Sequence, residues 1–416
     1  MIAVKNVLLV NSSCGTAARM LQERSDIRLS VLTIDKYRDL YEDRTDVEYV
    51  DSVADLTQVR LAALRIRERN PFDRVVAPSE WSVQAGGYLR SYFGLDGIGY
   101  DTANRFSNKL VMKQRLAEAG LPVAAFRRLE SLEQTGLVAA ELGWPVVVKR
   151  VSGGGAGFVR ALRGPGHLRS FLADPETRSF RQAPFPLLAE ERIDIEREFH
   201  CDGLVTDGTI RFARVSSYFE PVLHIVGGHR HGSYTVAADD PDAKAVLDLH
   251  EQVVAAMGMR NGVTHLEVFR CARGYLVGEI ACRPGGIGTT PMISHQYGVD
   301  LWSAFLATEL GEPVDVEESD RGGHTIQYTL PRPAGTVVSI TPEEELRAVP
   351  GVYQAHVKAR VGEVFAGPVD ASHNAGIVML HADDATQMHE RVAALDRTFD
   401  IRVEPGTNAS AGCDRL

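Results

Sequence analysis

The chain has 416 residues, of which 44% are hydrophobic and 24% charged, and its formal net charge is −10. This length suits two or three domains with a well-buried core, and the composition is ordinary for a globular protein. The acidic balance, without a basic run of five or more residues, argues against nucleic acid or an anionic membrane surface as a partner. No segment approaches the ~20 apolar residues that a membrane helix needs.

Residues 1–108 are predicted to form an amino-terminal α/β domain. Apolar runs at 7–10, 29–34 and 73–77 indicate strands, and the pattern at 56–68 indicates a helix. Strands that alternate with helices are typical of a parallel, doubly wound sheet.

The cysteines stand at positions 14, 201, 271, 282 and 413, without a C-x-x-C pair. An odd number with this spacing suits reduced thiols and argues against a disulfide framework or a zinc site. The apolar core of the amino terminus is also too short for a signal peptide. The sequence therefore predicts a cytoplasmic protein.

Residues 109–310 are predicted to form an α+β domain. Lys109 opens an amphipathic helix, a strand at 145–149 leads into a glycine-rich loop, and antiparallel hairpins with interspersed helices follow. A smaller α+β domain is predicted at 311–403. The polar tail at 404–416 is expected to be disordered.

The strongest chemical signal is a predicted hairpin that contains Glu267 and Glu279. These residues lie symmetrically about Arg273 in the turn, which predicts that they face each other on neighbouring strands. Facing carboxylates repel, and a divalent cation between them would remove the conflict. Arg283 is predicted on the same face as Glu279, where it could hold a phosphoryl group. The alternative is a solvated hairpin with scattered charges.

A second signal is Lys149 at the end of an apolar strand, followed by Gly153, Gly154 and Gly155. A glycine-rich loop lets backbone N–H groups approach phosphate oxygens, and the lysine supplies a fixed positive charge. The Walker pattern is absent. The alternative is a flexible surface turn.

A third signal is the segment with Glu190, Glu191 and Ile193, followed by Glu198. Such a strand end can offer backbone groups to a purine and a carboxylate to a ribose. Taken alone, this segment is better explained as an ordinary exposed strand end, and Lys109 alone would indicate a solvated helix face.

The order of these features resembles the ATP-grasp superfamily from residue 108 to residue 298. The resemblance is closest to the L-amino-acid ligases and more distant to biotin carboxylase and the large subunit of carbamoyl-phosphate synthetase. It implies an ATP-grasp fold whose lid covers about 122–195, flanked by the doubly wound and carboxy-terminal domains. It also implies an ADP-forming carbon–nitrogen ligase that uses ATP and Mg²⁺, with Mn²⁺ as a substitute, and a homodimer.

The resemblance implies roles for individual residues. Lys109 and Lys149 would contact the ATP phosphates under a lid loop at Gly153, Gly154 and Gly155. The adenine would be bordered by Glu190, Glu191 and Ile193, and the ribose held by Glu198. Magnesium would be bound by Glu267 and Glu279. Arg283 and Lys149 would be catalytic, with Arg283 stabilising the transferred phosphoryl group. The family pattern is Glu-x-Asn-x-Arg, whereas this chain has Ala281 in place of Asn, which removes one metal-coordinating oxygen.

The implied reaction activates a carboxylate with ATP as an acyl phosphate, which an amine then converts to an amide or peptide bond. The acid would be an amino acid or a specialised-metabolite acid. The loop with Gly285, Gly286 and Ile287 is expected to shape the amine-side pocket. A histidine-rich segment could contact a substrate carboxylate through His224, Arg230 or His231. It could instead hold a second metal or be a plain surface loop.

Two alternatives remain at this stage. A biotin-carboxylase-like enzyme would activate bicarbonate, but the chain has no biotin-attachment Met-Lys-Met motif. A non-catalytic nucleotide-binding regulator is supported by Ala281 alone.

Overall fold

The computed structural model describes residues 4–405 except 43, 45, 155–157, 183–185, 224–230 and 366–372. The amino-terminal part is a parallel sheet in the order β3-β2-β1-β4. Its elements are β1 (Lys5–Val10), α1 (Gly15–Gln22), β2 (Ile27–Ile34), β3 (Val47–Val50), α2 (Leu56–Arg69), β4 (Arg74–Val76), α3 (Val83–Phe93) and α4 (Tyr100–Ser107). Alternate residues of β1 enter two different hydrophobic clusters, as expected for a sheet covered on both faces. The predicted doubly wound sheet is confirmed, while the domain bounds 1–108 stay a prediction.

The next segment contains a helix and a small antiparallel sheet. Asn108 caps α5 (Lys109–Glu118) by accepting from the backbone N–H groups of Leu110 and Val111. The sheet has the order β5-β8-β6-β7 and its own apolar core. Its elements are β5 (Phe126–Leu129), α6 (Thr135–Leu142), β6 (Val146–Arg150), β7 (Val159–Leu162), α7 (Pro165–Ala173), α8 (Arg178–Arg181) and β8 (Leu187–Glu191). The glycine-rich loop joins β6 to β7, inside the predicted lid.

The remaining strands form an eight-stranded sheet and a three-stranded sheet. The elements up to residue 310 are β9 (Arg197–Thr206), β10 (Thr209–Tyr218), β11 (His231–Thr235), α9 (Pro241–Met257), β12 (Gly262–Cys271), β13 (Gly274–Ala281), α10 (Thr289–Tyr297) and α11 (Leu301–Glu309). Those beyond are β14 (His324–Leu330), β15 (Gly335–Ile340), α12 (Glu343–Arg347), β16 (Val352–Val357), β17 (Val364–Phe365), β18 (Gly376–Ala382), α13 (Ala385–Thr398) and β19 (Ile401–Glu404).

The large sheet has the order β13-β12-β9-β10-β11-β14-β18-β16, and the small one β17-β15-β19. The large sheet therefore contains strands from both sides of residue 310. The domain boundary predicted there stays a prediction. Glu404, predicted to begin the tail, is the last residue of β19, while residues 406–416 lie outside the described residues.

Candidate active site

The carboxylates of Glu267 and Glu279 belong to residues paired directly across β12 and β13. The predicted pairing is thus present, although the turn differs from the prediction. The closing pair is Cys271 with Gly274, so the turn has two residues instead of three, and a register shift after Glu267 compensates for the difference. Without that β-bulge the two acidic side chains would lie on opposite faces of the sheet.

Gly278 is the residue that the bulge leaves without a partner. A Cβ atom at this position would lie 2.7 Å from Cζ of Phe269 and 3.2 Å from the backbone oxygen of Glu267. Glycine therefore permits the close approach that aligns the carboxylates.

Lys109, the first residue of α5, reaches this pair from a buried position. Its Nζ atom donates to Glu279 Oε1 at 2.8 Å and to the backbone oxygen of Gly153. Burial opposes the charged form, but the carboxylates of Glu279 and Glu80 outweigh it and raise the pKa of Lys109. The lysine is a permanent cation that ties the helix to the glycine-rich loop.

The acidic groups around this lysine have pKa values that are shifted in different directions. Burial would raise the pKa of Glu279, yet Lys109 and Lys149 hold it below its usual value. Burial and the neighbouring Glu279 raise the pKa of Glu267, and burial with Glu267 raises that of Glu198 well above its usual value. Carboxylates crowded beyond the available positive charge suit a divalent cation with oxygen ligands, so the residues present fit the predicted metal.

A second buried group consists of Glu190 on β8 and two lysines. Lys149 Nζ lies 2.9 Å from Glu190 Oε2, and Lys113 Nζ lies 3.4 Å from Glu190 Oε1. Burial would raise the pKa of Glu190, but the two lysines lower it. Oε1 is buried and makes no hydrogen bond, so it can accept one from a ligand. No role was predicted for Lys113 from the sequence.

Arg283 is held by Glu80, a residue that the sequence did not single out. The Arg283 Nη2 and Nε atoms lie 2.7 and 2.9 Å from Glu80 Oε2. Glu80 follows β4 at the carboxyl end of the parallel sheet, which is where such sheets bind ligands. That position was the signal that could have identified it.

The glycine-rich loop lies against the same amino-terminal segment. A Cβ at Gly153 would lie 3.1 Å from the Trp81 ring, and one at Gly154 would lie 3.5 Å from Glu80 and 3.7 Å from Arg283. The loop, the carboxylate pair and Arg283 are therefore brought together. Gly155 lies outside the described residues.

The residues predicted to contact the adenine and the ribose differ in burial and in hydrogen-bond partners. Glu198 is buried and its Oε2 accepts from the backbone N–H of Val222 at 2.8 Å. The Glu191 carboxylate accepts from Ala125 N–H and from Arg273, both at 2.8 Å, so it already has structural partners. Ile193 is half-buried just beyond β8. The adenine and ribose roles of these residues stay predictions.

The predicted acceptor loop follows Arg283 directly. Gly285 is buried, Gly286 is exposed and would accept a Cβ without contact, and Ile287 adopts a positive φ of 49° that is uncommon for a β-branched residue. His224 and Arg230 lie outside the described residues. His231 begins β11, and its side chain is likewise not described.

Comparisons with known proteins agree with this geometry. A model of the ATP-grasp domain matches residues 114–297, and a model of L-amino acid ligase C-terminal domain 2 matches residues 327–404. The chain is 31% identical over 404 residues to an L-arginine-specific L-amino acid ligase of Bacillus subtilis, covering 95% of this chain and 97% of that protein. The chain belongs to the L-amino acid ligase family of ATP-grasp enzymes. This ligase is therefore ATP-dependent and ADP-forming, and it makes an amide or peptide bond, as predicted.

Solved structures confirm the ATP-grasp fold of the ligase. The L-amino acid ligase of Bacillus licheniformis gives a TM-score of 0.76 at 18% identity, covering 97% of this chain and 100% of that one. A carboxyaminoimidazole ribonucleotide synthase from Aspergillus clavatus complexed with ATP gives 0.70 at 17% identity, covering 96% and 100%. Within the described part of the ligase, no helix has the length and apolar character to cross a bilayer.

Proposed function

We propose that this ligase joins the carboxylate of one amino acid to the amine of another, with Mg²⁺ at Glu267 and Glu279 and Mn²⁺ as a substitute. The observation that carries the proposal is the facing pair of carboxylates, with Lys109 bound to one of them. Two acidic groups and one lysine leave a local negative charge that a divalent cation neutralises. The bound cation would polarise the phosphates of ATP.

The nucleotide is proposed to lie between the four-stranded sheet β5-β8-β6-β7 and the large sheet. Lys109 and Lys149 would meet its phosphates, and backbone N–H groups at Gly153 and Gly154 would approach phosphate oxygens. Glu190 Oε1, which makes no hydrogen bond and lies 3.4 Å from Lys113 Nζ, would accept a hydrogen bond from the adenine amino group. The Glu198 carboxylate would accept a hydrogen bond from a ribose hydroxyl.

In the proposed mechanism, a carboxylate oxygen of the first substrate attacks the γ-phosphorus, and ADP leaves. The amine nitrogen of the second substrate then attacks the acyl carbon, phosphate leaves, and the ammonium proton passes to phosphate or solvent. Lys149 and Arg283 stabilise the charge that develops on the transferred group, and Glu80 holds Arg283 in place. Closure of the glycine-rich loop would exclude water from the acyl phosphate.

The second substrate is proposed to occupy the space beside Gly285, Gly286 and Ile287, with His224, Arg230 or His231 contacting its carboxylate. The name of the Bacillus subtilis relative makes L-arginine the first acid to test. A homodimer and a cytoplasmic location are proposed as well. The described cysteines are free, which agrees with a reducing compartment.

The direct test is incubation of the ligase with ATP, Mg²⁺ and pooled amino acids including L-arginine. We expect ADP in equal amount to an amide or dipeptide detected by mass spectrometry, and loss of both with Lys149→Met. ADP release that depends on bicarbonate and gives no amide would support the biotin-carboxylase-like alternative instead. Nucleotide binding without turnover under any substrate would support the regulatory alternative.

A further inference from the structure

The missing metal-binding oxygen at position 281 has a substitute directly across the sheet. His265 on β12 is paired with Ala281 on β13, so both side chains point to the same face as Glu267 and Glu279. The small Ala281 side chain leaves the space beside the carboxylates to the His265 ring. The sequence did not identify this residue because its relevance depends on the register.

A buried carboxylate holds the His265 ring in one orientation. Its Nδ1 lies 2.8 Å from Oδ1 of Asp202, a buried residue of β9 that also binds Nδ1 of His200 at 2.6 Å. A Cβ at Gly285 would lie 2.8 Å from the same Nδ1, so the glycine leaves room for the ring. An ionised Asp202 accepts hydrogen bonds only, so Nδ1 keeps its proton, and Nε2 is the nitrogen that would supply a lone pair to a bound cation.

The other ring nitrogen, Nε2, lies on the side of the Glu267 carboxylate. It lies 4.0 Å from Glu267 Oε1, which is too far for a hydrogen bond. Metal–nitrogen and metal–oxygen bonds of about 2.1 Å each span ~4.2 Å when nearly in line, so one cation can bridge these two atoms. The His265 side chain is 12% exposed and Glu267 is 27% exposed, whereas Asp202 is fully buried. The His265 ring and the Glu267 carboxylate are thus both partly accessible to a ligand.

We propose that His265 is the third protein ligand of the divalent cation, with Glu267 and Glu279, and that Asp202 is its positioning residue. This rests on the metal site of the proposed function and deepens it. A ring nitrogen in place of an amide oxygen favours transition metals over Mg²⁺. The ligase should therefore bind Mn²⁺ more tightly than Mg²⁺.

The experiment is pulsed electron paramagnetic resonance of Mn²⁺ bound to the full chain with a non-hydrolysable ATP analogue. We expect a ¹⁴N coupling typical of coordinated imidazole, which changes to ¹⁵N when only the histidines are labelled. That arm needs no substitution and excludes nitrogen atoms of the nucleotide. Absence of a histidine nitrogen coupling in Mn²⁺-loaded wild type would overturn the inference.

Variants assign the coupling to one ring. His265→Phe should remove it and weaken Mn²⁺ binding about 10-fold or more, while Asp202→Asn should weaken binding less. The matched control is His295→Phe, because His295 stacks on Tyr353 at 3.8 Å in another part of the chain and phenylalanine keeps that contact. Adding Ala281→Asn to His265→Phe should restore affinity without a nitrogen coupling. A coupling that survives His265→Phe overturns the assignment.

Glu279→Gln separates this inference from the proposed function. Mn²⁺ binding that is unchanged in this variant would show that the proposed carboxylate site is wrong. Binding that is lost with Glu279→Gln but shows no histidine nitrogen in the wild type would leave the proposed function intact and reject His265 alone.

Discussion

At the residue scale, the site depends on side chains that hold one another in place. Arg283 donates to Glu80 through Nε and Nη2, and its Nη1 donates to the backbone oxygen of Pro284 at 2.9 Å. These contacts involve each guanidinium nitrogen but leave N–H groups on the outer edge for a ligand. Arginine suits this position because a planar fork can bind Glu80 and a phosphoryl group at once.

Arg283→Lys should lower kcat by about 100-fold or more with little change in the KM for ATP. A lysine cannot keep both the Glu80 contact and a donor aimed at the developing charge, and loss of one such donor costs ~3 kcal/mol. Steady-state ADP release with a saturating acid and amine measures the effect. Arg273→Lys is the control, because Arg273 pairs with Glu191 on the surface; a similar loss in both variants would contradict the assignment.

At the element scale, the β12–β13 hairpin shows how a local irregularity creates a site. The bulge at Gly278 brings the two acidic residues opposite each other. Helix α9 contacts the same two strands next to the hairpin turn. Asp242 in the first turn of α9 accepts from Arg197 and Arg270 at 2.8 Å and from Tyr275 at 2.5 Å. The hairpin is therefore fixed at its turn end by polar contacts and at its other end by the site.

Gly278→Ala should destabilise the ligase by about 1–3 kcal/mol and weaken Mn²⁺ binding, because the added methyl group meets the Phe269 ring and opposes the bulge. The midpoint of urea unfolding and a Mn²⁺ titration provide the two measurements. Gly164→Ala is the control, since no atom lies within 4 Å of the added group. Normal metal affinity in Gly278→Ala would show that the bulge does not align the carboxylates.

Asp242→Asn should lower the urea midpoint at pH 7, and the difference from wild type should shrink as the pH falls below about 4. Burial would raise the pKa of Asp242, but Tyr275, Arg270 and Arg197 hold it below its usual value. A depressed folded pKa contributes stability above the unfolded pKa, and this is lost as the pH falls through the folded value. Asp248→Asn, at an exposed position of the same helix, should leave the urea midpoint unchanged both at pH 7 and below pH ~4. A pH-independent difference would contradict this account.

At the scale of the whole molecule, one sheet connects the catalytic strands to the carboxy-terminal strands, and one buried ion pair connects the amino-terminal domain to α11. Arg90 on α3 binds Glu309 on α11, and its Nη2 also donates to the Val75 backbone oxygen at 2.7 Å. These links place Glu80, which follows β4, beside Arg283 at the end of the large sheet.

Arg90→Met should destabilise the ligase by about 3–5 kcal/mol because it leaves Glu309 buried without its cation. Adding Glu309→Leu should recover much of the loss, since two apolar groups can replace a buried pair. Thermal unfolding measures both effects. Asp96→Asn, which removes an exposed partner of Arg74, is the control and should shift stability by less than ~1 kcal/mol. A double variant as unstable as the single one would contradict the explanation.

Elements with a strong local pattern could be predicted from the sequence. The helix predicted at 56–68 is observed as Leu56–Arg69. Helix α3 was missed because Gly86 and Gly87 interrupt its pattern, although each is required by close packing: a Cβ at Gly86 would lie 2.4 Å from Cβ of Ala77. Tertiary contact overrides propensity there.

The site was predicted in part for a similar reason. Glu267 and Glu279 were paired from a turn of the wrong length, and the bulge at Gly278 corrected the register. Glu80 and His265 were missed because their partners, Arg283 and Asp202, are distant in sequence. The position of Glu80 after β4 was a signal for that residue, but the pairing of such distant residues is not visible in the local sequence. Gly155, His224 and Arg230 lie outside the described residues, so their predicted roles stay predictions.

The most direct test of the shared cation is a crystal structure with Mn²⁺ and a non-hydrolysable ATP analogue, with Mn²⁺ located by anomalous scattering. We predict a peak about 2.1–2.2 Å from a carboxylate oxygen of both Glu267 and Glu279, bonded to nucleotide phosphates that Lys109 and Lys149 also contact. A peak bound to neither carboxylate, or phosphates out of reach of both lysines, would contradict the account.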